Sequence, residues 1–342
     1  MKKLTALLIT LLVVTAAAAQ SGKDARIKEI RAAYSQAKKK IDQNGKGGKS
    51  PKDMTIVLNH LEDEDVPLYM EMTIKYYFDE TYPEGVAEKH PYFIVEDWAC
   101  HGHLRYREIL LNPKDQQVMF CYMRGETDGG FVVESRYYYD TKGKCIEEKH
   151  NTDNNWTDGG SEKGNAEYYL KIFNMVNYNG YFSPLEPDSA ERSTTPKAQR
   201  VAQIRSVYAQ AKDKIAKNDK AEMPNDLHIT IHDLGDDTPP RTTEIKMYFD
   251  KACYFISQKS SSMLFDGYSE YLFDPQGESL IFSYSRGREE GQEYEWRYYY
   301  DEGGYCIETK SNSEETDDGF YDKRAAKDFK AIFNTLLNDN QE

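Results

Sequence analysis

Residues 131–149 and residues 292–310 are written to one plan, and that duplication constrains the fold more than any other feature of the chain. The first stretch reads FVVESRYYYD, a turn TKG, then KCIEEK; the second reads QEYEWRYYYD, EGG and YCIETK. Both alternate apolar and polar residues up to an Asp, turn around a Gly and return, which is the pattern of a β-hairpin. Side chains two apart on a strand share a face. Phe131, Val133, Tyr137 and Tyr139 are therefore expected on one side, matched by Tyr294, Trp296, Tyr298 and Tyr300, and that side reads as core. The opposite side carries Glu134, Arg136 and Tyr138, matched by Glu295, Arg297 and Tyr299. An acid, a base and a tyrosine recur there in one order. They read as a solvated face, with a shared binding stripe as the functional alternative.

The correspondence extends beyond the hairpin. Ile27, Ile30, Tyr34, Ala37 and Ile41 follow one another in steps of three and four residues, predicting an amphipathic helix over residues 24–44 that leaves Lys28, Arg31, Lys38 and Lys39 to water. Val201, Ile204, Tyr208, Ala211 and Ile215 repeat it. Short strand-like runs follow in both halves, joined by turns such as Asn112-Pro113 and Asp274-Pro275-Gln276-Gly277, with an extra loop at residues 81–90 of the first half. Sequential tight turns predict antiparallel neighbours. A closing helix then appears at Ala166, Tyr169, Phe173 and Val176, and again at Ala326, Phe329, Phe333 and Leu336. The expected fold is α+β: two tandem copies of a helix, an antiparallel β-meander of about six or seven strands, and a helix. The copies span residues 21–178 and 198–342, joined by a linker at 179–197 that contains Pro184, Pro187 and Pro196.

Residues 1–20 have the make-up of an export signal: Lys2 and Lys3, an apolar run from Leu4 to Val14, then small residues to Ala19. The run is too short for a membrane span, so the expected location is periplasmic or extracellular, without a membrane anchor. The net charge of −14 becomes more negative once that basic end is removed, which disfavours nucleic acid and anionic membrane as partners.

Few residues suggest chemistry. Cys100, His101, Gly102 and His103 form the sharpest local cluster; on an extended chain His101 and His103 share a face and are the candidate metal ligands, although no third or fourth ligand has a recognisable spacing. Oxygen-rich loops at residues 153–158 and 311–318 are weaker calcium candidates, since both lead into helices that need caps. Within a meander, Cys121 and Cys145 are expected too far apart to bridge, while a bridge between Cys145 and Cys306 stays open. No nucleophile elbow or phosphate loop occurs, and no pattern implies a cofactor. The expectation is thus an exported, non-catalytic binding protein whose partner is a protein, peptide or glycan. A small-ligand carrier with a cavity between sheet and helices is the alternative, and a hydrolase or metal-binding protein is a minor one.

Overall fold

The computed structural model describes residues 2–338 apart from 48–50, 62–68, 82–87, 101–102, 127–129, 153–156, 178–193, 234–239, 263–264, 290 and 313–318. In chain order the elements are α1 (Lys2–Gln43), β1 (Asp53–Leu61), β2 (Tyr69–Thr81), β3 (Glu88–Cys100), β4 (His103–Leu111), β5 (Val118–Glu126), β6 (Val132–Tyr139), β7 (Cys145–His150) and α2 (Gly159–Asn177). There follow α3 (Lys197–Asn218), β8 (Asp226–Asp233), β9 (Arg241–Phe249), β10 (Cys253–Ser261), β11 (Phe265–Phe273), β12 (Leu280–Glu289), β13 (Gln292–Tyr300), β14 (Cys306–Ser311) and α4 (Phe320–Asn338). The hairpins that dominate the sequence are closed by their aspartates. The Asp140 carboxylate accepts the N–H groups of Lys142 at 2.8 Å and Lys144 at 2.9 Å, and Gly143 supplies the positive φ of 72°. Asp301 accepts Gly303 and Tyr305 at 2.9 Å each, beside Gly304 at φ 79°.

The fold differs from two tandem meander units. All the described strands belong to one 14-stranded antiparallel sheet, ordered β14 to β8 and then β1 to β7. Its two series of sequential hairpins meet where β1 pairs with β8, from Asp53 opposite His232 to Asn59 opposite Asp226. The cause is the open edge each meander has at its first strand. Neither β1 nor β8 carries a Pro or an inward-pointing charge along its centre, and an apolar strand with unpaired N–H and C=O groups pairs with whatever strand is offered. One face of this seam is built from Met54, Ile56, Leu58, Leu227, Ile229 and Ile231, all buried. With Tyr76, Tyr137, Phe173 and Phe333 they form a single core that runs through both halves.

Helices cover both faces of the sheet. On the face of that core lie α2 and α4, which touch each other where the Tyr168 hydroxyl donates to the Thr335 carbonyl at 3.0 Å. The opposite face bears two separate cores, one under α1 and one under α3. Helix α1 crosses its strands at one end of the sheet: Lys23 pairs with Glu147 of β7, Arg26 donates to the Tyr139 carbonyl, Lys40 pairs with Asp79 of β2, and Asn44, just past the helix, donates to Asp53 of β1. Helix α3 repeats the path from Lys197 with Glu308 to Asn218 with Asp226. The helix expected to begin near residue 24 is continuous from Lys2. Among the described residues no helix is long and apolar enough to cross a membrane.

This two-sided cover explains the tyrosine runs. Tyr137 and Tyr139 face α2, where their hydroxyls donate to the carbonyls of Thr157 (3.0 Å) and Gly159 (2.7 Å). Tyr138 faces α1 and is also buried, as is Tyr299 under α3, so the side expected to be solvated is core at this end of the strand. β-Bulges between Tyr138 and Tyr139 and between Tyr299 and Tyr300 adjust the register there. At the other end of the strand Phe131, expected in the core, is exposed.

The first half also buries an ion network. Arg107 donates to Glu162 of α2 at 2.9 Å and to Glu96 at 2.6 Å, and Glu96 accepts from Arg105 at 2.7 Å. Burial opposes the ionisation of Glu96, but Arg107 and Arg105 outweigh it and hold the carboxyl below its ordinary 4.5. Its contribution to stability is therefore present above that value and lost as the pH falls through the lowered one.

Two outcomes are expected in urea unfolding. Ile56→Ala and Ile229→Ala should each cost about 2–5 kcal/mol through the seam cavity they leave. Arg107→Ala should cost about 3–5 kcal/mol at neutral pH by stranding buried carboxylates, and the deficit should shrink toward acid pH as Glu96 of the variant takes up a proton.

Twin arginine and tyrosine cavities as the candidate functional site

Beside α1, on the face that α1 only partly covers, the chain leaves a cavity of about 300 Å³. Beside α3 it leaves another of about 330 Å³. Their linings match residue for residue. Ile30, Arg31 and Tyr34 of α1 correspond to Ile204, Arg205 and Tyr208 of α3, while Phe120 and Tyr122 of β5 correspond to Phe282 and Tyr284 of β12. Arg136 and Tyr138 of β6 complete the first cavity, and Arg297 and Tyr299 of β13 complete the second.

Local structure positions each group. Helical spacing brings Ile30, Arg31 and Tyr34 to the flank of α1 that meets the sheet, and strand alternation puts Phe120 with Tyr122, and Arg136 with Tyr138, on the face below it. The guanidiniums sit on rings. Arg136 lies over Tyr122 at 5.2 Å and Arg31 over Tyr138 at 5.7 Å, while Arg297 lies over Tyr284 at 5.3 Å and Arg205 over Tyr299 at 5.8 Å, all within cation–π reach. Of the expected stripe, Arg136, Tyr138, Arg297 and Tyr299 thus line cavities. Glu134 stands outside as the ion-pair partner of Arg136 at 3.3 Å, and Glu295 holds Arg297 in the same manner.

Below each cavity lies a buried carboxylate. Glu108 accepts from Tyr34, from Lys38 at 2.8 Å and from Tyr106 at 2.6 Å. Glu270 accepts from Tyr208 at 2.5 Å, Lys212 at 2.9 Å and Tyr268 at 2.6 Å. Burial opposes the charge on Glu108, yet the hydrogen bonds from Lys38, Tyr106 and Tyr34 keep it ionised below its ordinary value. Burial and then Glu108 push the Tyr34 phenol upward, and burial and Glu270 do the same for Tyr208. These phenols stay protonated at neutral pH, and the carboxylates have lysine counter-charges. Each arrangement thus combines hydrogen-bond donors, guanidinium charge and aromatic faces at a partly open surface.

The other candidates are scattered. His103 is exposed at the start of β4, opposite Cys100 of β3, while His101 lies outside the described residues. Among the described residues no group of three or more His, Cys, Asp or Glu could hold a metal ion. Most of both oxygen-rich loops also lies outside the described residues; at the edge of the first, Asp158 accepts the Ser161 N–H at 2.8 Å and so caps α2. His232, at the seam, bonds Asp53 at 2.9 Å. No disulfide links the five cysteines, and Cys145 and Cys306 sit on β7 and β14, the two outermost strands, where they cannot meet within one chain. Arg31, Tyr34, Phe120 and Tyr122, with their counterparts, were missed in the sequence. The signal for the helical part was present: Ile-Arg followed three residues later by Tyr recurs in both amphipathic stretches.

Tyr34→Phe and Tyr208→Phe should each cost about 1–3 kcal/mol in urea unfolding, because each leaves a buried carboxylate short of a donor. Equal costs are expected, given the matched geometry. Searches of protein-family models, curated proteins and solved structures find no match to this chain.

Proposed function

We propose that this chain is an exported, non-catalytic binding protein that holds a protein, peptide or glycan through its two Arg–Tyr cavities. The observation that carries the reading is the match of the linings: seven side chains of the same types, on a helix and two strands, in each half. Some other buried polar features match, as Glu108 does with Glu270 and Asp53 with Asp226, but one differs between the halves. Where the first half buries Glu96, Arg107 and Glu162, the second has a Ser285 hydroxyl on Asp322 at 3.3 Å and a Ser269–Ser285 hydrogen bond at 3.0 Å. A fold needs only packing from such positions. Two copies of one Arg–Tyr arrangement at a partly open surface have a simpler cause in recognition.

The carrier alternative has less support. The space between the sheet and α2 and α4 is filled by Tyr76, Phe78, Tyr137, Tyr139 and Phe173, each almost wholly buried. Hydrolysis has less support as well, since the described linings of the twin cavities are isoleucine, phenylalanine, arginine and tyrosine.

Peptide and glycan arrays probed with the wild type and with Arg136→Ala/Arg297→Ala test the reading. Ligands are expected whose signal falls about tenfold or more in the double variant, a loss of roughly 1.4 kcal/mol, while its urea midpoint stays near that of the wild type. Array ligands indifferent to the double variant, or none at all, would overturn it.

A further inference from the structure

The cavities say more about the group they receive. Arg136 and Arg297 each have a glutamate partner, so their charge is already met. Arg31 and Arg205 are exposed, and among the described residues neither forms an ion pair; each lies over a tyrosine ring, and Glu308, which attracts Arg205 more weakly, is already paired with Lys197 and Lys310. The carboxylate beneath each cavity is neutralised by Lys38 or Lys212. Each cavity therefore has about one unit of positive charge left over, on a protein whose net charge is −14. A local cationic hollow in an acidic surface attracts an anion.

Building on the binding role just proposed, we propose that each cavity takes a single carboxylate borne on an apolar ring or chain, one per cavity and two per chain. The guanidinium fork matches a carboxylate in plane and supplies charge-assisted hydrogen bonds. The walls favour one charge over two: Ile30 and Phe120, or Ile204 and Phe282, leave part of the lining apolar, where a dianion such as phosphate pays a larger desolvation cost. The stacked arginines also cover faces of Tyr122, Tyr138, Tyr284 and Tyr299, so the guanidinium edges and the remaining apolar wall are what a ligand meets. The cavities lie on one face of the sheet, separated by on the order of ten strand spacings, or roughly 50 Å before twist. One small molecule cannot bridge them, so the two sites should fill independently.

Isothermal titration of the full chain with benzoate, with benzamide as its neutral isostere and with inorganic phosphate, tests this assignment. Benzoate should bind at two equivalent sites per chain, about tenfold or more tighter than benzamide and tighter than phosphate. Arg31→Ala should weaken one site and leave the other intact, Arg205→Ala should do the reverse, and the double variant should lose both; circular dichroism and the urea midpoint report folding, which these exposed positions should not disturb. Equal binding of benzoate and benzamide, preference for phosphate, a stoichiometry unchanged in the double variant, or no benzoate binding would each overturn it. Failure here together with arginine-dependent array ligands that are uncharged would sink the carboxylate and spare the binding role. Failure of both experiments would sink the binding role itself.

Discussion

Pairing of β1 with β8 is the constraint on which the rest of the structure depends. Each is the first strand of its series, and each would otherwise expose a row of backbone donors and acceptors beside an apolar face. Joining them antiparallel satisfies both rows, from Asp53 opposite His232 to Asn59 opposite Asp226. It also merges Met54, Ile56 and Leu58 with Leu227, Ile229 and Ile231, so one core extends under α2 and α4 across both halves. Ion pairs and hydrogen bonds flank the join in matched fashion. Asp53 bonds Asn44 at 2.8 Å and His232 at 2.9 Å, while Asp226 bonds Asn218 at 3.4 Å and Asn59 at 2.9 Å.

From that join the position of the cavities follows. Because β1 and β8 run in opposite directions, α1 and α3 cross opposite ends of the sheet, each anchored near its last turn to the strand at the seam. A helix that crosses only one end of its strands leaves the remainder of that face uncovered. At the boundary, an arginine and a tyrosine from the helix meet an arginine and two tyrosines from the strands. The same residues therefore serve two purposes. Tyr34 and Tyr208 pack on Phe120 and Phe282 in the small cores under α1 and α3 and also line the two cavities.

How much of this could be read beforehand depends on the range of the interactions. Hairpins with Asp140 and Asp301 at their turns were legible, since the turn chemistry lies within a few residues. Arg136, Tyr138, Arg297 and Tyr299 stood out because an ordered set of polar types recurred; that Tyr138 and Tyr299 are buried was not legible, because strand alternation cannot tell whether a second layer covers the polar side. Arg31 read as a solvated residue on the outer face of a helix. It becomes part of a cavity only once Tyr138, more than a hundred residues away in the chain, lies beside it.

The amino-acid sequence alone determined the antiparallel hairpins, the amphipathic helices and the net negative charge, since each rests on periodicity, turn residues or composition. The tertiary structure decided that the strands make one sheet rather than two, which faces are doubly covered, and that two arginine and tyrosine clusters close into cavities. The physical reason is that an open strand edge carries no mark of its partner: its backbone groups accept any strand with a free edge, and the packing of Met54, Ile56 and Leu58 with Leu227, Ile229 and Ile231 favours the one that is used.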